Sequence, residues 1–204
     1  MTTAVVGRRE RKKAETRAAL ARAAMRLALD RGVENVTTEA IAEAADVAPR
    51  TFRNYFSGKE EAIVAEMADG MHLIADELRA RPAGEPLWDA VGHALSFMRS
   101  MPPESLAEMA AKVRMIRASR ALLASQLAGF EQIGEEFTAI IAERTGTDAR
   151  TDIYPRLAAA VVVATLRMAI FTWLESDGRL NLADVAADAL ARVRAGLPAP
   201  EVSA

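Results

Sequence analysis

Residues 36–56 read VTTEAIAEAADVAPRTFRNYF, and their reading decides the fold. Val36-Thr37-Thr38 opens a helix; of the two threonines, Thr38, three residues before Ile41, is the better candidate cap. The helical pattern runs to about Ala45. Asp46-Val47-Ala48 interrupts it as a turn, and Pro49 restarts it at a first helical position, where a missing N–H costs nothing. The restarted helix is expected to end near Phe56, before Ser57-Gly58. Ile41, Ala45, Val47, Phe52 and Phe56 form the inward set, and Ala42, Ala44 and Ala45 allow the helices to approach closely.

Two short helices joined by a tight turn make a helix-turn-helix. Its second helix would expose Arg50, Arg53 and Asn54 at its start, where such residues meet base edges in a major groove. Arginine bonds guanine in bidentate fashion, and asparagine does the same with adenine. Thr38, Thr51, Tyr55 and Lys59 are suited to phosphates. Thr38 and Lys59 also lie near helix N-termini, which favour an anion. The competing reading of the same residues is a helical hairpin with a solvated polar face.

Charge supports the first reading. Residues 1–60 hold 12 Lys+Arg against 8 Asp+Glu, a net +4 in a chain whose total is −2. The excess lies between Arg8 and Arg26, where eight basic residues stand against Glu10 and Glu15. A basic head on an acidic body suits a polyanion at one end.

The rest of the 204 residues favour an all-α protein: alanine dominates and strand-forming aromatics are few. Residues 1–13 read as a flexible basic arm, although Arg8–Lys13 also suit the first turn of a helix. Residues 14–58 read as a three-helix domain that carries the helix-turn-helix, 59–197 as a larger helical domain, and 198–204 as a disordered tail. Within the larger part helices are expected at 59–81, 86–100, 103–117, 119–144, 153–176 and 182–195. Breaks fall at Pro82–Pro86, Pro102-Pro103, Gly146 and Asp177-Gly178.

The chain has no cysteine and only His72 and His93, which removes thiolate chemistry and argues against a histidine metal site. No phosphate loop, nucleophile elbow or zinc-protease motif is present, so no enzyme, cofactor or metal is implied. No apolar h-region follows the basic start. The longest unbroken apolar run, Leu157–Ala164, is too short for a bilayer. The expectation is a soluble cytoplasmic protein.

Residues 14–64 resemble the DNA-binding domain of the TetR family of transcriptional regulators. The residues that carry this are AMRLALDRGVENVT, TTEAIAEAADVA and above all RTFRNYFSGKE. The resemblance implies a homodimer that binds double-stranded operator DNA and responds to a small-molecule effector. Three positions depart from the family pattern: Asp46 for the usual turn glycine, Ala48 for the usual capping serine, and Arg53 for a common aromatic. Asp tolerates a left-handed backbone better than most residues.

In the larger part, Leu123, Leu127, Phe130, Phe137 and Ile141 share a stripe with Gly134, which leaves space for a ligand. Phe97, Met101, Met115, Phe130, Gly134, Phe137, Met168 and Phe171 are the candidate effector contacts, with core packing as the competing role for each. The runs KVRMIR, FEQIGEEF, IAERTG and AAVVVATLRMAIFTWLE resemble the TetR-like regulators that sense acyl-CoA-type ligands, including the mycofactocin-system regulator. That resemblance implies an acyl tunnel, with Arg114, Arg117 or Arg120 meeting an anionic head group. The helix 153–176 is apolar on nearly every side and calls for an identical partner subunit. A helical carrier of acyl ligands that reads no DNA is the alternative from another functional class.

Overall fold

The computed structural model describes residues 7–177 and 179–198; residues 199–204 of the tail expected at 198–204, and the arm before residue 7, lie outside them. Nine α-helices and two short 3-10 segments follow one another among these residues, without a strand. They divide into two compact units. One holds the chain up to Gly70 together with Glu108–Gly129; the other holds Met71–Ala107 and the chain from Phe130 onward. The division therefore does not fall at residues 58/59.

In the first unit, α1 spans Arg8–Arg31 and stops at Gly32, whose φ of 79° suits a residue without Cβ. The basic run Arg8–Lys13 is thus helix, and the flexible-arm reading of these residues is corrected. A 3-10 turn, Val33–Asn35, leads to α2 (Thr38–Ala44). Thr37, not Thr38, caps α2: its Oγ1 accepts the Ala40 N–H at 3.2 Å. Thr38 instead donates to Glu39 Oε2 at 3.1 Å.

The break that follows is a Schellman motif. The Val47 N–H donates to the Ala42 carbonyl (2.9 Å) and the Asp46 N–H to Glu43 (3.0 Å), with Asp46 at φ 54°. The same pair of bonds ends α9 around Gly196, so Asp46 occupies a position built for glycine. Asp46→Gly is expected to stabilise the protein by about 0.5–1 kcal/mol, the relieved left-handed strain exceeding the added freedom of the unfolded chain. A lower urea midpoint in this variant would contradict it.

Helix α3 spans only Pro49–Phe52, with Ala48 at its N-cap making no side-chain bond. The backbone continues to coil beyond it, Asn54 N–H to Thr51 O (3.1 Å) and Tyr55 N–H to Phe52 O (2.9 Å). The expected helix to Phe56 is therefore one α-turn followed by two i to i+3 bonds and a closing i to i+4 bond, Phe56 N–H to Phe52 O at 3.1 Å. Its buried side is firm. Phe52 and Phe56 stack at 5.7 Å and close a core with Leu20, Ala24, Leu27, Ile41, Ile63, Ile116 and Leu122. Burying each of the leucine, isoleucine and phenylalanine side chains stabilises by about 1.5–3 kcal/mol. Ala44 is exposed and takes no part in close helix packing.

Helix α4 (Lys59–Ala80) begins where Glu61 Oε2 accepts both the N–H and the hydroxyl of Ser57. Helices α6 (Pro103–Ala118) and α7 (Arg120–Thr145) each give one end to this unit. Lys112 of α6, itself largely buried, bonds Glu66 of α4 at 2.7 Å and Glu108 at 2.6 Å.

The second unit contains α5 (Leu87–Ala94), the 3-10 segment Ser96–Ser100, α8 (Ile153–Glu175) and α9 (Leu182–Arg194) with the remaining parts of α4, α6 and α7. The expected helix 86–100 is thus α5 followed by a 3-10 turn. Phe137, Ile133, Ile141, Leu166 and Leu78 are fully buried here. Leu127, expected on the same stripe of α7, is 56% exposed and belongs to the first unit. By length and composition α8 could cross a membrane, contrary to the reading from its longest run. Half of its most apolar stretch is buried within the fold, as in a core helix.

Two carboxylate clusters tie this unit together. Glu136 of α7 bonds His72 and Arg79 of α4. Glu85, in the loop before α5, bonds Arg81 and His93. The Arg81 guanidinium holds the Glu85 carboxyl at about 2, against the upward push of burial and with the help of His93. A depressed folded-state value contributes stability that is present above the ordinary 4.5 and is lost as pH falls through about 2. The gap in urea midpoint between wild type and Glu85→Gln should therefore narrow steadily as acid is added below 4.5. A gap that stays constant in acid would refute this role.

Candidate nucleic-acid interface and effector cleft

The helix-turn-helix presents its polar residues on one side of α3 and the turn after it. Arg50, Arg53 and Asn54 are exposed; Thr51 and Tyr55 are half-buried, Tyr55 against the core of the unit. This alternation arises because Phe52 and Phe56, four residues apart, take the inner face. Arg50 belongs to the first turn of α3, and Arg53 is its C-cap residue. The two guanidiniums and the Asn54 amide offer fork-shaped donors suited to guanine and a donor–acceptor pair suited to adenine.

The expected phosphate contacts differ among themselves. Thr51 stays on the polar side. Lys59 Nζ donates to the Val33 carbonyl at 2.9 Å, pinning the start of α4 to the turn after α1, so part of its donor capacity serves the fold. Arg17 of α1, which sequence reasoning left as general basic charge, lies 5.0 Å above the Phe56 ring and 3.7 Å from Asp69.

The second unit holds an open cleft of about 740 Å³ between α7 and α8. Phe130, Gly134, Thr138 and Ala139 line it from α7, and Arg156, Ala159, Ala160, Val163, Ala164 and Arg167 from α8. The small residues leave the space between the helices unfilled: a Cβ added at Gly134 would meet nothing within 4 Å. Buried Ala159 and Val163 give an apolar floor; exposed Glu131, Glu135 and Arg156 stand at the rim. Arg156 is engaged with the Ala149 and Arg150 carbonyls, both at 3.0 Å. Arg167 lies with its guanidinium carbon 4.9 Å from the Phe130 ring centre and 5.9 Å from that of Phe171.

Of the eight effector candidates, the structure brings Phe130, Gly134 and Phe171 to this cleft and its Arg167. Phe137 is fully buried in the core instead. Met168 is 57% exposed on α8, Phe97 is exposed on the 3-10 segment, and half-buried Met101 follows it. Met115 packs against the core of the first unit. Arg114, Arg117 and Arg120 also belong to that unit and do not line the cleft. Arg167 was missed, yet its signal was in the sequence: a single cation inside AAVVVATLRMAIF.

Comparison with known proteins assigns both halves of the chain. The family profile described as "Bacterial regulatory proteins, tetR family" matches residues 20–66, and that described as "MftR C-terminal domain" matches residues 85–198. The chain belongs to the TetR family. It is a TetR-type transcriptional regulator with a helix-turn-helix DNA-binding domain and a helical ligand-binding domain, in a family whose members act as dimers. A relative, the HTH-type transcriptional regulator TcmR of Streptomyces glaucescens, is 35% identical over 187 residues, spanning 88% of this chain and 83% of TcmR.

Solved TetR structures share the fold at lower identity. A TetR regulator from Rhodococcus sp. matches at TM-score 0.60 and 20% identity, covering 90% of this chain and 96% of its own. FadR of Thermus thermophilus, solved with lauroyl-CoA, matches at TM-score 0.59 and 21% identity, covering 92% and 98%.

Proposed function

We propose that the protein is a cytoplasmic, homodimeric repressor that binds a palindromic operator and is released by a small apolar or acyl-CoA-like effector. The observation that carries the DNA-binding part is the two-sided recognition segment: Phe52 and Phe56 locked in the core, Arg50, Arg53 and Asn54 turned to solvent. Thr51 and Tyr55 flank them for the phosphate backbone. In this reading Thr38, next to the helix cap, and the remaining donors of Lys59 complete the backbone contacts. A carrier protein has no use for this exposed set.

The dimer is supported by α8. Ile153, Leu157 and Met168 are large, exposed and on one face of the helix, beside the cleft, and form an apolar stripe. A second copy packed on this stripe gives the two-fold symmetry that half-sites about 34–36 Å apart require.

The effector part is supported by the α7/α8 cleft, whose volume of about 740 Å³ suits a small molecule. The lauroyl-CoA complex of FadR and the matching MftR-type C-terminal profile favour an acyl-type effector. An effector that prefers a dimer shape with different half-site spacing would weaken DNA binding by shifting populations.

Operator binding tests the proposal. With eight basic residues between Arg8 and Arg26 on and beside the interface, affinity should fall steeply with salt, by on the order of 10³-fold or more between 50 and 200 mM. Affinity unchanged over that range, or no site recovered from a random DNA library, would reject it.

A further inference from the structure

Arg167 is an unusual occupant of its place. It sits in the long apolar helix α8, lining the α7/α8 cleft, with its guanidinium over the rings of Phe130 and Phe171. The rings neutralise little of its charge, and they orient its plane. Its Nε is buried and has no acceptor among the described residues. A buried donor without a partner costs free energy, so such a group is unusual unless something else completes it. The other arginine of the cleft, Arg156, is satisfied by loop carbonyls and does not share this property. The carboxylates of Glu131 and Glu135 stand exposed at the rim, where water and salt screen them, and the structure gives neither a bond to Arg167.

We infer that Arg167 receives the carboxylate of an amphiphilic effector whose apolar chain lies along the floor formed by Ala159 and Val163. The inference rests on the reading of the cleft as the effector site and names the chemistry recognised there. A carboxylate matches the side-on fork of Nε and the neighbouring Nη, which a hydroxyl or a thioester carbonyl can use only singly. Arg156 and Arg167 are eleven residues apart on α8, about 16 Å, which gives the length of chain that the cleft accepts. The rim glutamates then disfavour a ligand with a second anionic end near the middle of the cleft.

Calorimetric titration of the full-length dimer separates the possibilities. Dodecanoate, dodecanol and lauroyl-CoA are the probes, and wild type, Arg167→Gln and Gly134→Leu are the proteins. Wild type should bind dodecanoate at least about tenfold more tightly than dodecanol, the effect of one charge-assisted pair. Arg167→Gln should lose that preference while still binding dodecanol, a retention that a merely structural role for Arg167 would not allow. Gly134→Leu, which fills the middle of the cleft, should weaken both.

Equal binding of dodecanoate and dodecanol by wild type overturns the inference, as does binding of neither. Tight lauroyl-CoA binding that ignores Arg167→Gln overturns it too, while leaving the cleft as effector site if Gly134→Leu abolishes that binding. Unchanged binding of every probe by Gly134→Leu rejects the cleft reading itself.

Discussion

Replacing Arg50 by alanine is expected to weaken operator binding by on the order of 10²–10⁴-fold while leaving fold and dimer intact. The side chain is exposed in the first turn of α3, and the neighbouring Phe52 supplies the buried anchor. Removing an exposed side chain of this kind changes stability by no more than about 0.5 kcal/mol. A bidentate contact with guanine contributes about 1–3 kcal/mol of discrimination, and a palindrome presents it twice. The loss should therefore fall on sequence selectivity, with binding to random DNA reduced far less. Arg50→Lys sharpens the test, because it keeps the charge and removes the fork. Lysine should preserve non-specific affinity and still fail to select the site. Titration of labelled operator and scrambled duplexes at fixed salt reads both quantities. An alanine variant that retains wild-type preference would remove Arg50 from base readout.

Replacing Arg144 by alanine is expected to destabilise the protein by about 2–4 kcal/mol, the largest stability loss anticipated for any single polar residue here. Its guanidinium donates to four backbone carbonyls: Leu78 at 3.4 Å, Arg81 at 3.0 Å, Pro82 at 2.9 Å and Glu85 at 3.1 Å. The Leu78 and Pro82 carbonyls also accept the Arg81 and Glu85 N–H groups, at 3.3 and 3.1 Å, while the Arg81 and Glu85 carbonyls depend on Arg144. Without Arg144 the Arg81 and Glu85 carbonyls lose this donor, and the loop that holds Glu85 loses its tie to α7. Lysine should not rescue the loss, since a single ammonium cannot reach carbonyls spread around a planar fork. With a urea slope of about 2 kcal/mol/M, the midpoint should fall by about 1–2 M. A shift below about 0.3 M would show that water replaces the guanidinium without penalty.

Much of the DNA-reading half was legible because its signals are local. The Asp46–Ala48 break, Pro49 at a helix start and the Phe52/Phe56 spacing each act over four residues or fewer. Where the reading slipped, two local options were nearly equal. Thr37 and Thr38 both suit a cap, and the geometry of the chain leaving Val36 decides for Thr37. Arg8–Lys13 carry enough charge to suggest an arm, yet contain no helix breaker, and α1 simply extends through them. The α3 segment contains no residue that forbids a longer helix, so its tightening after Phe52 was not visible.

The effector side was less legible for a physical reason. Apolar residues at helical spacing look alike whether they face a core or a cleft. Phe137 and Phe130 are seven residues apart on one face of α7, yet one is fully buried in the core and the other lines the cleft. The three arginines expected to meet an anion stand in the other compact unit, while Arg167, hidden in an apolar run, is the one placed at the cleft.

By itself the sequence determined the helical class, the turn between α2 and α3, the outward set Arg50, Arg53 and Asn54, and family membership, because each rests on local backbone preference or on a contiguous motif. Only the tertiary structure decided which side of α7 meets a core, that Arg144 caps the end of α4, and that Arg167 lies against two rings at the cleft. Those outcomes depend on pairs of residues far apart in the chain, whose meeting is set by packing and not by spacing.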